Sequence, residues 1–263
     1  MNNDLTYGEL KGRALKWATE FGFGLSPATM PTNIVISPAK IDECFEDFQT
    51  TMTQKALDFR KVRSGFLVWN DQKSALFCEG GIGASNFADS TIVLCHCRNV
   101  EEILFVGTGG GIGKRVATGD VNVPPSCVRL DKVLEIILPP EAPADADEDL
   151  RKTLKLMVEK AVRSLGIEVH GELHATVPFF LSETKQLLTK LQSQGVVSVD
   201  MELSVLYALA SYYGKKAAGI IRIGDLPLRG LPTWKSRSYK MELKKEVHRE
   251  ILDGLVAYLF ERS

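Results

Sequence analysis

A chain of 263 residues, 44% hydrophobic and 25% charged, has the make-up of an ordinary globular protein able to bury a sizeable core. Its formal charge of −1 argues against nucleic acid or an acidic membrane surface as the main partner, and no apolar run reaches the roughly 20 residues that span a bilayer. The opening Met1-Asn2-Asn3-Asp4 has neither the basic nor the apolar region of a secretory leader; five cysteines without a CxxC pair read as reduced thiols of a cytoplasmic protein.

In chain order, residues 7–21 have a helical reading and run into a Gly/Pro-containing loop. Residues 1–31 are therefore expected to be an N-terminal extension to one domain over 32–263. Residues 33–37 form a short β run ending at Pro38, and residues 40–48 read as a helix. Residues 65–69 and 74–78 are expected strands of a hairpin turning through Asn70-Asp71-Gln72-Lys73. Gly80-Gly81-Ile82-Gly83 then leads into a helix ending near Cys97. Cys95-His96-Cys97 looks like a metal fragment, but its spacing suits no standard zinc site, so no metal is expected.

Residues 103–106 form a fully apolar strand, followed by a glycine-rich loop over residues 107–113. A Pro, Ala and acid-rich linker (139–149) precedes a helix over 151–165. Residues 168–176 read as a strand, 182–194 as a helix and 203–213 as an apolar helix stopped by Gly214. Residues 217–223 form a β run. A last helix covers 238–260, with Leu243, Val247, Ile251, Leu255 and Leu259 at a spacing of four. Such alternation predicts a three-layer α/β/α sandwich around a central mixed sheet.

The most informative stretch is Val199-Asp200-Met201-Glu202, with Asp225 following 23 residues after Glu202 in Ile221-Arg222-Ile223-Gly224-Asp225. One carboxylate opens a helix and the other closes a strand, which puts two acids at the rim of an α/β sheet, where ligands bind. Each also has a plain reading. Glu202 can complement a helix dipole, Asp200 can cap, and Asp225 can be a turn residue before Pro227. The glycines after residue 106 can admit an anion to backbone N–H groups or simply make a tight turn. They form neither a dinucleotide fingerprint nor a P-loop. Phe179-Phe180 can be core or a stacking platform. His170 and His174 share a face without a neighbouring ligand, and His248 reads as lying on a solvated helix face.

Together these pieces resemble the nucleoside phosphorylase-I superfamily, which includes purine nucleoside phosphorylases, uridine phosphorylases and methylthioadenosine nucleosidases, over roughly residues 32–260. Residues 199–207 look like the family's ribose-binding helix and Gly107-Thr108-Gly109-Gly110 like its phosphate-side loop. Gly119-Asp120-Val121 is similar to its later signature, and residues 80–83 to its glycine turn. The resemblance implies that Met201 packs under ribose, Glu202 accepts the sugar hydroxyls and Phe179 faces the base. Asp225 would protonate purine N7, a general-acid step worth roughly 10²–10⁴-fold. To donate it must hold a proton, and Arg222, if close, would oppose that. Phosphate would lie against Gly107 and Thr108, with Lys40 at the place of a family arginine and Arg63 donated by a neighbouring subunit.

The pattern departs at that end. Ile36-Ser37-Pro38-Ala39-Lys40 stands where phosphorolytic members carry Gly-Asp-Pro-x-Arg, and Phe105 stands for another arginine. Lys is only a point charge, so the clamp is weaker. The hydrolytic members use a first-loop glutamate instead; Asp42 and Glu43 are nearby but displaced. Gly224 replaces the family's common serine, and Leu181-Ser182-Glu183-Thr184-Lys185 replaces the uracil-reading Gln-x-Arg, so a purine is expected. The implied activity is glycosyl transfer from a nucleoside to inorganic phosphate, without a cofactor, in a homodimer or homohexamer whose sites lie at the subunit interface. The alternatives are hydrolysis of the nucleoside or binding without turnover.

Overall fold

The computed structural model describes residues 11–230 and 239–261. Its backbone is a single mixed sheet of eleven strands with helices on both faces, the expected α/β architecture. The strands are β1 (Asn33–Ser37), β2 (Asp58–Val62), β3 (Gly65–Trp69), β4 (Ser74–Glu79), β5 (Glu102–Gly111), β6 (Val121–Asn122), β7 (Cys127–Arg129), β8 (Val169–His170), β9 (His174–Thr176), β10 (Ser198–Asp200) and β11 (Lys216–Asp225). The helices are α1 (Gly12–Phe23), α2 (Ile41–Cys44), α3 (Phe48–Gln54), α4 (Ala84–His96), α5 (Glu148–Ala161), α6 (Lys185–Ser193), α7 (Leu203–Tyr212) and α8 (Tyr239–Val256), the last prolonged by a π-turn over Ala257–Glu261. No helix among the described residues is long and apolar enough to cross a membrane.

Period-two alternation in the central strands builds the layers. Ile34 and Ile36 of β1, with Ile103 and Phe105 of β5, face a core shared with α1, α4 and α7. Val35, Leu104 and Val106 face the opposite core, shared with α2, α3, α5 and α8. Strands buried on both faces read as unbroken apolar runs, and that is why they were visible in the sequence. The stripe on α8 behaves as its spacing requires: Val247, Ile251, Leu255 and Leu259 are all buried. Phe23, Leu25 and Met30 join the first core, so described residues before position 32 are packed into it, with α1 against α4.

Several local expectations are corrected. Residues 40–48 make not one helix but two short ones, broken at Phe45. Strand β2 lacks an apolar signature because it is a charged edge strand, Asp58-Phe59-Arg60-Lys61-Val62, paired only with β3. Such edges carry charge to resist further pairing. Residues 168–176 divide into two short strands, β8 and β9, with different neighbours. Cys95 of α4 and its cap residue Cys97 are buried; burial pushes the Cys95 thiol up to about 12, and none of the five cysteines is in a disulfide. Part of the first helical reading, residues 7–10, and the start of the last, Ser238, lie outside the described residues.

The largest correction concerns the glycine-rich segment. Residues 107–111 are not a loop but the second half of β5, paired with β11 from Glu102 to Gly110. On its other edge, β5 pairs with β1 up to Phe105 and with β10 from Gly110. The close approach of these neighbours explains the composition. A Cβ on Gly109 would come within 2.3 Å of the Val199 carbonyl oxygen, and one on Gly107 within 2.4 Å of the Phe105 ring. Glycine serves packing here before it serves any ligand.

Candidate active site

The handover of β5's edge from β1 to β10 sets the site. The ends of β1, β5, β10 and β11 meet at a change of neighbour, the kind of place where α/β sheets hold ligands. A cavity of about 210 Å³ opens there, and Gly107, Thr108, Met201, Glu202, Glu43 and His248 are among the residues of its wall. Four of the eight residues named from the sequence thus share one cavity: Gly107, Thr108, Met201 and Glu202. Asp225, Phe179, Lys40 and Arg63 lie outside its lining.

Glu202 sits directly ahead of α7, on the turn from β10. Its Oε1 accepts the Gly83 N–H at 2.7 Å and its Oε2 the Met201 N–H at 3.3 Å. The second glycine cluster therefore delivers a backbone donor to this carboxyl. Burial, and then the nearby Asp200, push the Glu202 carboxyl up to about 8. Asp200 itself is fixed from below: it accepts from Thr176 Oγ1 at 2.7 Å and from the Leu203 N–H at 2.9 Å, capping the start of α7. Ser204 extends this network, its N–H donating to Thr176 Oγ1 at 2.9 Å and its hydroxyl to Asp131 at 2.8 Å. His174 Nε2 lies 2.9 Å from Asp200 Oδ1, and its Nδ1 is 2.7 Å from Ser198 Oγ. His170 likewise meets Asp120 at 3.0 Å, so both histidines have carboxylate companions. Both partners come from about 26 to 50 residues away, beyond any local spacing rule.

Asp225 closes β11 after a register shift and is buried. Its Oδ1 lies against Gly110, 3.2 Å from where a Cβ there would stand. Glu183, on the segment before α6, joins the same field. Burial, then Asp225 and Asp200, raise its carboxyl to about 7. Phe179 follows β9, which runs parallel to β10, so both chains emerge at one sheet edge; its ring is 58% exposed. Of the two plain alternatives for this residue, core is therefore excluded.

At the other end of the cavity, Thr108 is exposed on β5. Phe105 fills the core, edge-on to Phe87 with ring centres 5.5 Å apart, so no cation comes from that position. Lys40 precedes α2 and pairs with Glu43 at 3.4 Å. The Arg63 guanidinium lies 4.3 Å from the centre of the Phe21 ring of α1. Two other residues stand next to Thr108 in the fold. Arg222 is the register partner of Thr108, and its Nη2 donates to Thr108 Oγ1 at 3.3 Å. His248, expected to be solvated, is buried and accepts the Arg222 Nε–H at 2.9 Å. Burial depresses Arg222 to about 10, partly offset by Cys44 and Asp225. A lone arginine inside the apolar run Ala217-Ala218-Gly219-Ile220-Ile221 was the available signal; His248 had none, because its partners lie on β11 and α2.

A family model described as the phosphorylase superfamily matches residues 42–257. A DeoD-type purine nucleoside phosphorylase of Bacillus cytotoxicus is 30% identical over 147 residues, which cover 55% of this chain and 60% of the relative. One from Bacillus cereus is 29% identical over the same extent. The chain thus spans about 60% of the length of the curated relatives it matches. Among solved structures, Toxoplasma gondii purine nucleoside phosphorylase superposes with a TM-score of 0.70 at 21% identity, covering 90% of this chain and 95% of that one. Vibrio fischeri uridine phosphorylase gives the same TM-score and coverage at 15% identity. With a phosphorylase-type fold and a family match over most of its length, the chain belongs to the phosphorylase superfamily.

Proposed function

We propose that the protein is a pentosyltransferase that cleaves the N-glycosidic bond of a purine nucleoside with inorganic phosphate as acceptor. The observation that supports this most is the shared cavity: Met201, Glu202, Gly107 and Thr108 all line it, with the Asp225 carboxyl over Gly110 farther along β5. In this reading ribose lies on Met201 with its hydroxyls toward Glu202. The base stacks on Phe179 and takes its proton from Asp225, and phosphate meets the C1′ face from the Thr108 end. Proton donation lets the base leave neutral as positive charge develops on the sugar. Lys40 and Arg63 belong to the phosphate side, Lys40 after exchange from Glu43 and Arg63 in the site of a neighbouring copy. The reading thus includes a cytoplasmic homodimer or homohexamer.

A second reading, hydrolysis, is favoured by one specific observation: Glu43 lines the same cavity as Glu202, where it can activate water. One assay separates the two. Inosine, adenosine, methylthioadenosine and uridine are incubated with and without phosphate, and free base is followed. Release that requires phosphate and favours purines supports the first reading. Release at equal rate in phosphate-free buffer moves the assignment to hydrolysis. No release, with thermal stabilisation by a nucleoside, would mean binding without turnover.

A further inference from the structure

We propose that the cation of the acceptor subsite is Arg222, aimed by His248, and that Arg222 and Thr108 together bind a tetrahedral oxyanion. The proposal rests on the reading of this cavity as a glycosyl-transfer site and deepens it by assigning a residue that the phosphorylase pattern does not supply. Arg222 and Thr108 are cross-strand partners on β11 and β5, so their side chains leave the sheet on the same face. Thr108 and His248 both line the cavity, and the buried guanidinium is hydrogen-bonded to each of them.

Three features make this guanidinium an anion receptor rather than a structural tie. First, its hydrogen-bond partners are neutral acceptors: His248 Nε2, Thr108 Oγ1 and the Ile223 carbonyl at 3.4 Å. A buried cation held by neutral groups is incompletely compensated, and a bound anion relieves that. Second, His248 is fixed as an orienting group. An arginine Nε–H can only donate, so His248 Nε2 must accept and its proton sits on Nδ1, which donates to the Cys44 carbonyl. The imidazole is therefore neutral and locks Nε, so a ligand would be met by the Nη protons beyond those given to Thr108 and the Ile223 carbonyl. Third, Gly224 keeps that edge clear. A Cβ there would stand 2.7 Å from Thr108 Cγ2 and 3.6 Å from Arg222 Nη2.

The other charges near the cavity are compatible with an oxyanion. Glu43 is paired with Lys40, and burial keeps the Glu202 carboxyl protonated at neutral pH. Cys44 and Asp225 offset only part of the cost of burying Arg222. The oxyanion has two possible sources, free phosphate or the phosphoryl group of a nucleoside monophosphate. Both present the same oxygens to a guanidinium fork.

The test is calorimetric titration of the full-chain protein with inorganic phosphate and, separately, with AMP and with inosine. Arg222→Gln should weaken phosphate or AMP binding by roughly 10- to 100-fold, the scale of one charge-assisted hydrogen bond. Arg222→Lys should recover part of it, His248→Gln should cost several-fold, and inosine affinity should stay within about 3-fold. Tighter AMP than phosphate, lost in the same variant, assigns the oxyanion to the nucleotide; the reverse order assigns it to free phosphate. Wild-type oxyanion affinity in a folded Arg222→Gln protein overturns the proposal and leaves the phosphorolytic reading standing. If that variant does not fold, unchanged affinity in both Arg222→Lys and His248→Gln overturns it. Wild-type protein that releases base without phosphate and binds neither oxyanion removes the underlying reading itself.

Discussion

The two ends of the cleft are built differently. At the nucleoside end, Glu202 is held by backbone N–H groups of Gly83 and Met201, over a buried network of Asp200, Thr176, Ser204 and Asp131. At the acceptor end, the charge is carried by the long side chain of Arg222 on β11, aimed by the neutral His248 of α8. A carboxyl fixed by main-chain donors depends on the fold itself and resists replacement. A guanidinium on a flexible stem can be supplied from another strand when its usual place is taken, here by Phe105 packed on Phe87. One half of the site is therefore tied to the backbone while the other can be rebuilt around the same cavity.

That contrast can be broken most severely at Asp225. Asp225→Asn should lower kcat for purine cleavage by roughly 10²–10⁴-fold, the range of general-acid catalysis, with the nucleoside KM little changed. Full-rate base release from this variant would remove the acid assignment.

Glu202→Gln comes next, at roughly 10- to 100-fold in kcat/KM, the scale of hydrogen bonds to a charged group. Its carboxyl accepts sugar hydroxyls best when ionised, and it titrates near 8. The wild-type kcat/KM should thus rise with pH up to about 8 and then level, a limb absent from the variant. Stability should run the other way. The unfolded carboxyl loses its proton near 4.5 and the folded one near 8, so the unfolded chain binds fewer protons between these values. This contribution is complete below 4.5 and is lost as pH rises through 8. Thermal unfolding of both proteins at pH 6 and pH 9 checks it; an equal pH slope in wild type and Glu202→Gln would count against the shifted carboxyl.

Gly109→Ala tests the strand that joins the two ends. Its Cβ would meet the Val199 carbonyl at 2.3 Å, a backbone atom that cannot swing away. A loss of roughly 1–3 kcal/mol, typical of overpacking, is expected in denaturant titrations. Unchanged stability would mean that β10 and β5 can part cheaply. The smallest effect belongs to Lys40→Ala. The Lys40–Glu43 pair is exposed on both sides, so its removal should shift stability by less than about 1 kcal/mol. A larger loss by the same titration would show that α2 depends on it.

What the sequence showed and what it hid follow the same divide. Buried strands and the stripe of α8 announce themselves, because an element enclosed on both faces must be apolar in every turn. Met201-Glu202 and Asp225 were visible only as a set: each acid alone has a plain reading, and it is their order around one apolar helix and one strand, with the glycine turns, that stands out. β2 was not visible, since a charged edge strand looks like loop, and neither was the strand character of residues 107–111. Glycine runs usually signal turns; here they are strand because Val199 and Phe105 press against them.

The sequence by itself therefore determined the layered α/β fold, the position of two carboxyls at the strand ends and the absence of an arginine at Phe105. Only the tertiary structure decided what stands at the acceptor end. Arg222 lies 26 residues from His248 and 114 from Thr108, and a cation, its orienting imidazole and its hydroxyl neighbour become a site only when β5, β11 and α8 are packed together. Local periodicity reports burial, which each element carries in its own pattern; hydrogen-bond partnership between distant side chains is a property of the assembled sheet.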